Sequence, residues 1–281
     1  MTSSTRAFLI AGLIALPSAA LLHLLALLGM AGAWTAMVHL TLFGWITALI
    51  VAVNYHTMPV FAARDFPFPQ LIWVHWAAFS VGVVFAATSL LLGWRGGELA
   101  GLLFQLIAAL IFVVNIVLLF LRGQQRQHRP LPPPIPDQPR VDRAGTQATK
   151  LAGLCLPLAL LVLLAARAGW VGGAWVLAAE HLATLGWVML MIVGVAYHVL
   201  PRFSGRGTRG PVWVWRQLLC HVSALALLVA ALGFGWRWGF TLGGLLMALA
   251  IGLFAWTIWP TLRVTYAQAV VIQVTLQERS R

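Results

Sequence analysis

Residues 39–61 read HLTLFGWITALIVAVNYHTMPVF, and residues 181–203 read HLATLGWVMLMIVGVAYHVLPRF. The two stretches align without a gap at an offset of 142, and eleven of the 23 positions are identical. They share the pattern H-x4-G-W-x9-Y-H-x2-P. Apolar helices match one another by chance through leucine and alanine, not through histidine, tryptophan, tyrosine and proline. The pattern therefore marks an internal duplication. The same offset carries Gly93-Trp94-Arg95 onto Gly235-Trp236-Arg237. Each stretch is also part of an apolar run long enough to cross a bilayer.

Working outward, the chain contains eight such runs, at 8–30, 34–60, 71–93, 101–121, 151–167, 173–200, 213–232 and 240–262. In lipid a backbone must satisfy its own hydrogen bonds, so runs of this kind form helices. The expected fold is all-α: a polytopic membrane protein of eight transmembrane helices, built as two tandem parallel four-helix repeats. Because four is even, both repeats run the same way through the membrane, related by a pseudo-twofold axis along its normal. The expected organisation is a first repeat over 1–121, a basic proline-rich linker over 122–150, a second repeat over 151–265 and a tail over 266–281. The linker has no apolar periodicity and reads as exposed and extended. His128 within it reads as solvated.

Composition agrees. The 281 residues are 61% hydrophobic and 9% charged, which excludes a soluble domain with a polar surface. The first run lacks a signal-peptide cleavage site and reads as a retained helix. Cys155 and Cys220 both lie in apolar runs, so no disulfide framework is implied. The net charge of +12 would suggest nucleic acid in a soluble protein, but orientation explains it here. Of the 18 basic residues, Arg95, Arg167 and Arg237 fall at one end of the runs and the other fifteen at the end with the termini. The positive-inside rule then places both termini in the cytoplasm of a bacterial-type inner membrane.

Seven of the eight histidines lie in or beside apolar runs, where ionisable groups are expensive and rarely idle. Neutral imidazole ligates haem iron and copper well. His39 and His181 lie about 8 Å below the outer ends of their helices at 1.5 Å per residue, and His23 comes near the same depth. Three readings stay open for this layer. His39 and His181 are axial ligands of one haem b, or His23, His39 and His181 form a copper site, or the pair is structural. Glu180 is the acid beside them, able to tune a ligand or carry protons. His56, His75, His198 and His221 form an inner layer of secondary candidates. His56 follows His39 by about 25 Å along the helix and some 100° around it, which disfavours a simple two-haem stack. His221 matches Phe79 under the offset, not His75.

The stretch from His181 to Leu225, with HLATLGW, GVAYHVLPRFSGR and PVWVWRQLLCHVSAL, resembles the catalytic subunit of cbb-type haem–copper oxidases. The histidine helix ending in proline is also similar to that of NnrS, a membrane haem and copper protein linked to the nitric oxide response. By this resemblance His181 corresponds to a copper ligand and His39 to an axial ligand of the low-spin haem. The resemblance implies electron transfer, an oxygen or nitric oxide response, or oxidase support. It implies membrane lipid as surroundings, and a second copy of the chain or other respiratory membrane subunits as partners. The oxidase's adjacent His-His pair is missing, since the corresponding region reads LLVAALGFGWRWG. Its third helical arc is missing as well. A complete oxygen or nitric oxide reductase on this chain is therefore not expected. The competing class is a transporter or channel without cofactor, motivated by the parallel repeat and by Asn54, Asn115 and Gln105 in the membrane.

Overall fold

The computed structural model describes residues 2–125, 135 and 137–263. His128 and the tail expected over 266–281 lie outside the described residues. Eight helices are long and apolar enough to cross a membrane, and the chain is an all-α multi-pass membrane protein. They are α1 (Ser3–Leu27), α2 (Ala33–His39, Leu40–Ile46 and Thr47–Ala62), α3 (Gln70–Leu92), α4 (Arg95–Arg122), α5 (Gln138–Ala168), α6 (Ala174–His181, Leu182–Met189 and Leu190–Ser204), α7 (Pro211–Phe234) and α8 (Arg237–Leu262). The middle parts of α2 and α6 are π-helical. A two-residue antiparallel pair, β1 (Arg64–Asp65) with β2 (Gln124–Gln125), closes the linker end of the first repeat.

The duplication is visible in the packing. In each half the first helix lies along the second, and the third along the fourth. Gly101 and Gly243, equivalent under the offset, let α4 approach α3 and α8 approach α7. Small residues of this kind let membrane helices pack backbone to backbone. The halves meet where α4 lies against α5 and where the π segments touch. There the fully buried Trp187 indole donates to Thr47 Oγ1 of the first repeat at 3.1 Å.

One expectation changes. Residues 138–150, read as extended linker, are the first turns of α5. Their composition is polar, but Val141, Ala144, Gly145, Ala148 and Thr149 recur at helical spacing and are buried. Arg140, Arg143 and Lys150 stay on the exposed side. Gly145 and Gly194 bring α5 and α6 together, since a Cβ on Gly194 would lie 2.8 Å from the Gly145 carbonyl. Arg202 then grips Asp142 with both amino groups, at 2.7 and 2.9 Å.

Candidate functional site

His39 is the last α-helical residue before the first π segment, and His181 is the last before the second. π-helical turns are rare and concentrate at functional sites. Here two of them begin at equivalent positions, directly after the matched histidines. Each carries a glycine in its middle. A Cβ on Gly44 would come 2.8 Å from Leu40 Cδ1, and one on Gly186 would come 2.8 Å from Cys155 Sγ. The widened turn and the missing side chain go together.

The two histidines differ in their partners. His39 is buried, and its Nε2 lies 2.9 Å from the Gln105 amide nitrogen, which also donates to the Gly82 carbonyl at 3.0 Å. An amide nitrogen only donates, so His39 Nε2 is the acceptor and the ring is neutral. His181 is partly exposed, with Nδ1 2.9 Å from the Leu177 carbonyl of its own helix. That contact puts a proton on Nδ1, so that the neutral ring carries its lone pair on Nε2, as a metal-ligating histidine needs.

A cavity of about 10 Å³, room for one water, lies beside His39 and is lined also by Glu98, Arg167 and Glu180. Glu180, not the adjacent His181, faces it. Arg167 Nε is 3.1 Å from Glu98 Oε1, and Arg95 donates to the Arg167 carbonyl at 3.1 Å. An ion pair thus ties α4 to α5 at the end of the seam away from the linker. His23 is exposed on α1, its ring 6.0 Å from that of Trp34. No three His, Cys, Asp or Glu side chains converge as a metal cage among the described residues. The histidines grouped as one layer from the sequence, His23, His39 and His181, have separate surroundings.

The inner layer divides too. His75 and His221 are buried, while His56 is exposed. His198 Nδ1 lies 2.9 Å from Asp142 Oδ1, inside the α5–α6 ion-pair cluster. His221 Nε2 lies 3.0 Å from the Leu185 carbonyl within the second π segment, so α7 braces that segment. His75 Nδ1 is 2.8 Å from the Tyr55 hydroxyl, which also accepts from Asn115 Nδ2 at 3.2 Å. The offset of 142 maps these three residues onto Tyr197, Gln217 and Thr257. Tyr197 donates to Gln217 Oε1 at 3.3 Å, with Thr257 beside its hydroxyl. This repeated buried cluster was not anticipated. Extending the gapless alignment past residue 61 would have exposed it, because polar residues face polar residues there without being identical.

A macrocycle held between His39 and His181 does not fit this packing. A site for a group of that size needs several hundred Å³, and the space at His39 holds one water. Cavities of about 670 and 440 Å³ lie elsewhere, and neither is lined by histidine. The donor chemistry of His181 alone does fit an iron or copper ligand. Compared with protein-family models and with curated proteins, the chain matches none.

Proposed function

We propose that this chain is a membrane redox protein of the haem–copper oxidase subunit I-like and NnrS-like group. It holds a haem b set against the partly exposed His181, outside the packed seam between the repeats, or copper in its place. It acts in electron transfer, in the response to oxygen or nitric oxide, or in support of an oxidase. The observation that carries this reading is the pair of π segments, each starting directly after its matched histidine. In this reading its linker end faces the cytoplasm of a bacterial inner membrane, which the fifteen-to-three split of basic residues favours.

When bound, such a group would supply one-electron chemistry and a site for a diatomic gas. The chain's own residues do the positioning. The Leu177 carbonyl fixes the His181 ring and its tautomer. Gly186 and the π turn set how close α6 lies to α5. His221 holds the turn from the far side through the Leu185 carbonyl. Glu180, next to His181 in sequence, supplies negative charge near the ligand.

The test is an optical spectrum with haem and copper analysis of protein purified from haem-replete cells. A Soret band, or stoichiometric copper, supports the reading. A colourless, copper-free protein removes it. Transport is the second reading, favoured by the buried Gln105–His39 and Tyr55–His75–Asn115 clusters within the spans. Ion or proton flux in liposomes with the colourless protein would establish it.

A further inference from the structure

A groove of about 440 Å³ runs between the repeats, walled by α2, α4, α5 and α6. Its lining is apolar, with Phe112, Phe120, Leu154 and Met191, except at Asn54 and near the linker end at Thr149 and Lys150. A second chamber of about 240 Å³ shares Met58, Ile116, Phe120, Thr149 and Lys150 with it, and continues to Asp142, His198 and Arg202. Together they form a passage, polar at the linker end and apolar within.

Asn54 is 1% exposed. Its Nδ2 donates to the Ile50 carbonyl at 2.8 Å, which fixes which end of the amide is oxygen. Oδ1 then has no hydrogen-bond partner among the described residues. A buried acceptor without a donor is costly in an apolar setting, and membrane-embedded polar groups usually have work to do. Asn54 borders this groove, and the equivalent residue of the second repeat is Ala196, so only the first repeat carries such an acceptor.

We propose that the groove binds a hydroquinone, whose hydroxyl donates to Asn54 Oδ1 while its ring and tail lie against Phe112, Phe120 and Leu154. Three observations select this occupant. The unmet group is an acceptor, so the ligand must bring a donor. Asn54 lies eight residues before the end of α2 at Ala62, about 12 Å deep at 1.5 Å per residue, which is too deep for a charged phospholipid head. The walls are apolar and aromatic, as a flat ring with an isoprenoid-like tail requires. The site does not depend on a haem being present.

The experiment measures binding of a decyl-substituted benzohydroquinone to the full-length protein in nanodiscs without oxygen, by equilibrium dialysis. The dimethyl ether of the same ring is the comparison, since it lacks both donors. Wild-type protein should bind the hydroquinone about five- to tenfold more tightly than the ether, the worth of one neutral hydrogen bond. Asn54→Leu should bind both alike, at the ether's affinity. Equal binding of the two compounds by wild-type protein overturns the proposal without any variant, even if Asn54→Leu fails to fold. An undiminished preference in Asn54→Leu overturns it as well. So does co-purified diacylglycerol that the hydroquinone cannot displace.

Discussion

The hydroxyl of Tyr55 lies 2.8 Å from Nδ1 of His75, deep in the first repeat. Asn115 donates to the same oxygen, so one hydroxyl bonds both side chains. Phe8, Phe66 and Phe112 pack around the pair, with centroids 5.4 to 5.8 Å from the Tyr55 ring. The cluster joins α2, α3 and α4 through one oxygen, with Tyr55, His75 and Asn115 all buried.

Tyr55→Phe should therefore destabilise the protein by about 1–2 kcal/mol, because it leaves His75 Nδ1 and Asn115 Nδ2 without that partner. Tyr197→Phe should cost less, since its bond to Gln217 is longer at 3.3 Å. Thermal unfolding of both variants in one detergent checks the order. A larger loss for Tyr197→Phe would contradict the assignment of the two clusters.

The glycine contacts predict a second asymmetry. A Cβ on Gly101 would lie 2.4 Å from the backbone nitrogen of Ala86, which cannot move aside. A Cβ on Gly243 meets first the Leu228 side chain, at 2.8 Å from Cγ. Gly101→Ala should cost roughly 1–3 kcal/mol through overpacking, and Gly243→Ala distinctly less. Unfolding temperatures measured in parallel decide it, and equal losses would count against the close α3–α4 approach.

Asp142 holds the linker end of α5 on α6 by receiving Arg202, His198 and Gln138 at 2.7 to 2.9 Å. Asp142→Asn removes the charge but keeps the shape. It should loosen residues 138–150 and cost about 1–2 kcal/mol, the range for a half-buried charge-assisted cluster. Hydrogen exchange should rise there while α7 and α8 stay protected. Unchanged exchange over 138–150 would show that Gly145 and Gly194 suffice for the contact.

Topology follows from the charge split. Reporter fusions after Arg122 and after Arg263 should report cytoplasm, and fusions at Arg95 and Arg237 the opposite side. A result in which the two repeats report opposite orientations would break the parallel duplication.

The sequence carried the number of helices, the repeat and its offset in plain view, because apolar runs and rare aromatic and imidazole residues survive as a pattern. The equivalent positions of His39 and His181 in their helices were legible for the same reason. Their surroundings were not. Whether His39 faces Gln105 or His181 depends on the rotation of α2, and the π turn resets that rotation just past the histidine, where simple 100° counting fails. The helix over 138–150 was hidden by a polar composition whose buried positions, apart from Val141, are small or polar residues that hydropathy barely registers. The Glu98–Arg167 pair joins residues 69 apart and leaves no local signature.

The central claim is that His181 ligates a redox group, and the absorption spectrum of His181→Ala beside wild type tests it most directly. Wild-type protein from haem-replete cells should show the Soret and visible bands of a b-type haem, or the absorption of bound copper. His181→Ala should lose them, with its unfolding temperature close to that of the metal-free wild type. His39→Ala should lose less, because Gln105 already occupies its Nε2, and exposed His56→Ala should lose nothing. Full bands retained by folded His181→Ala, or a wild-type protein without haem or copper, would contradict the account.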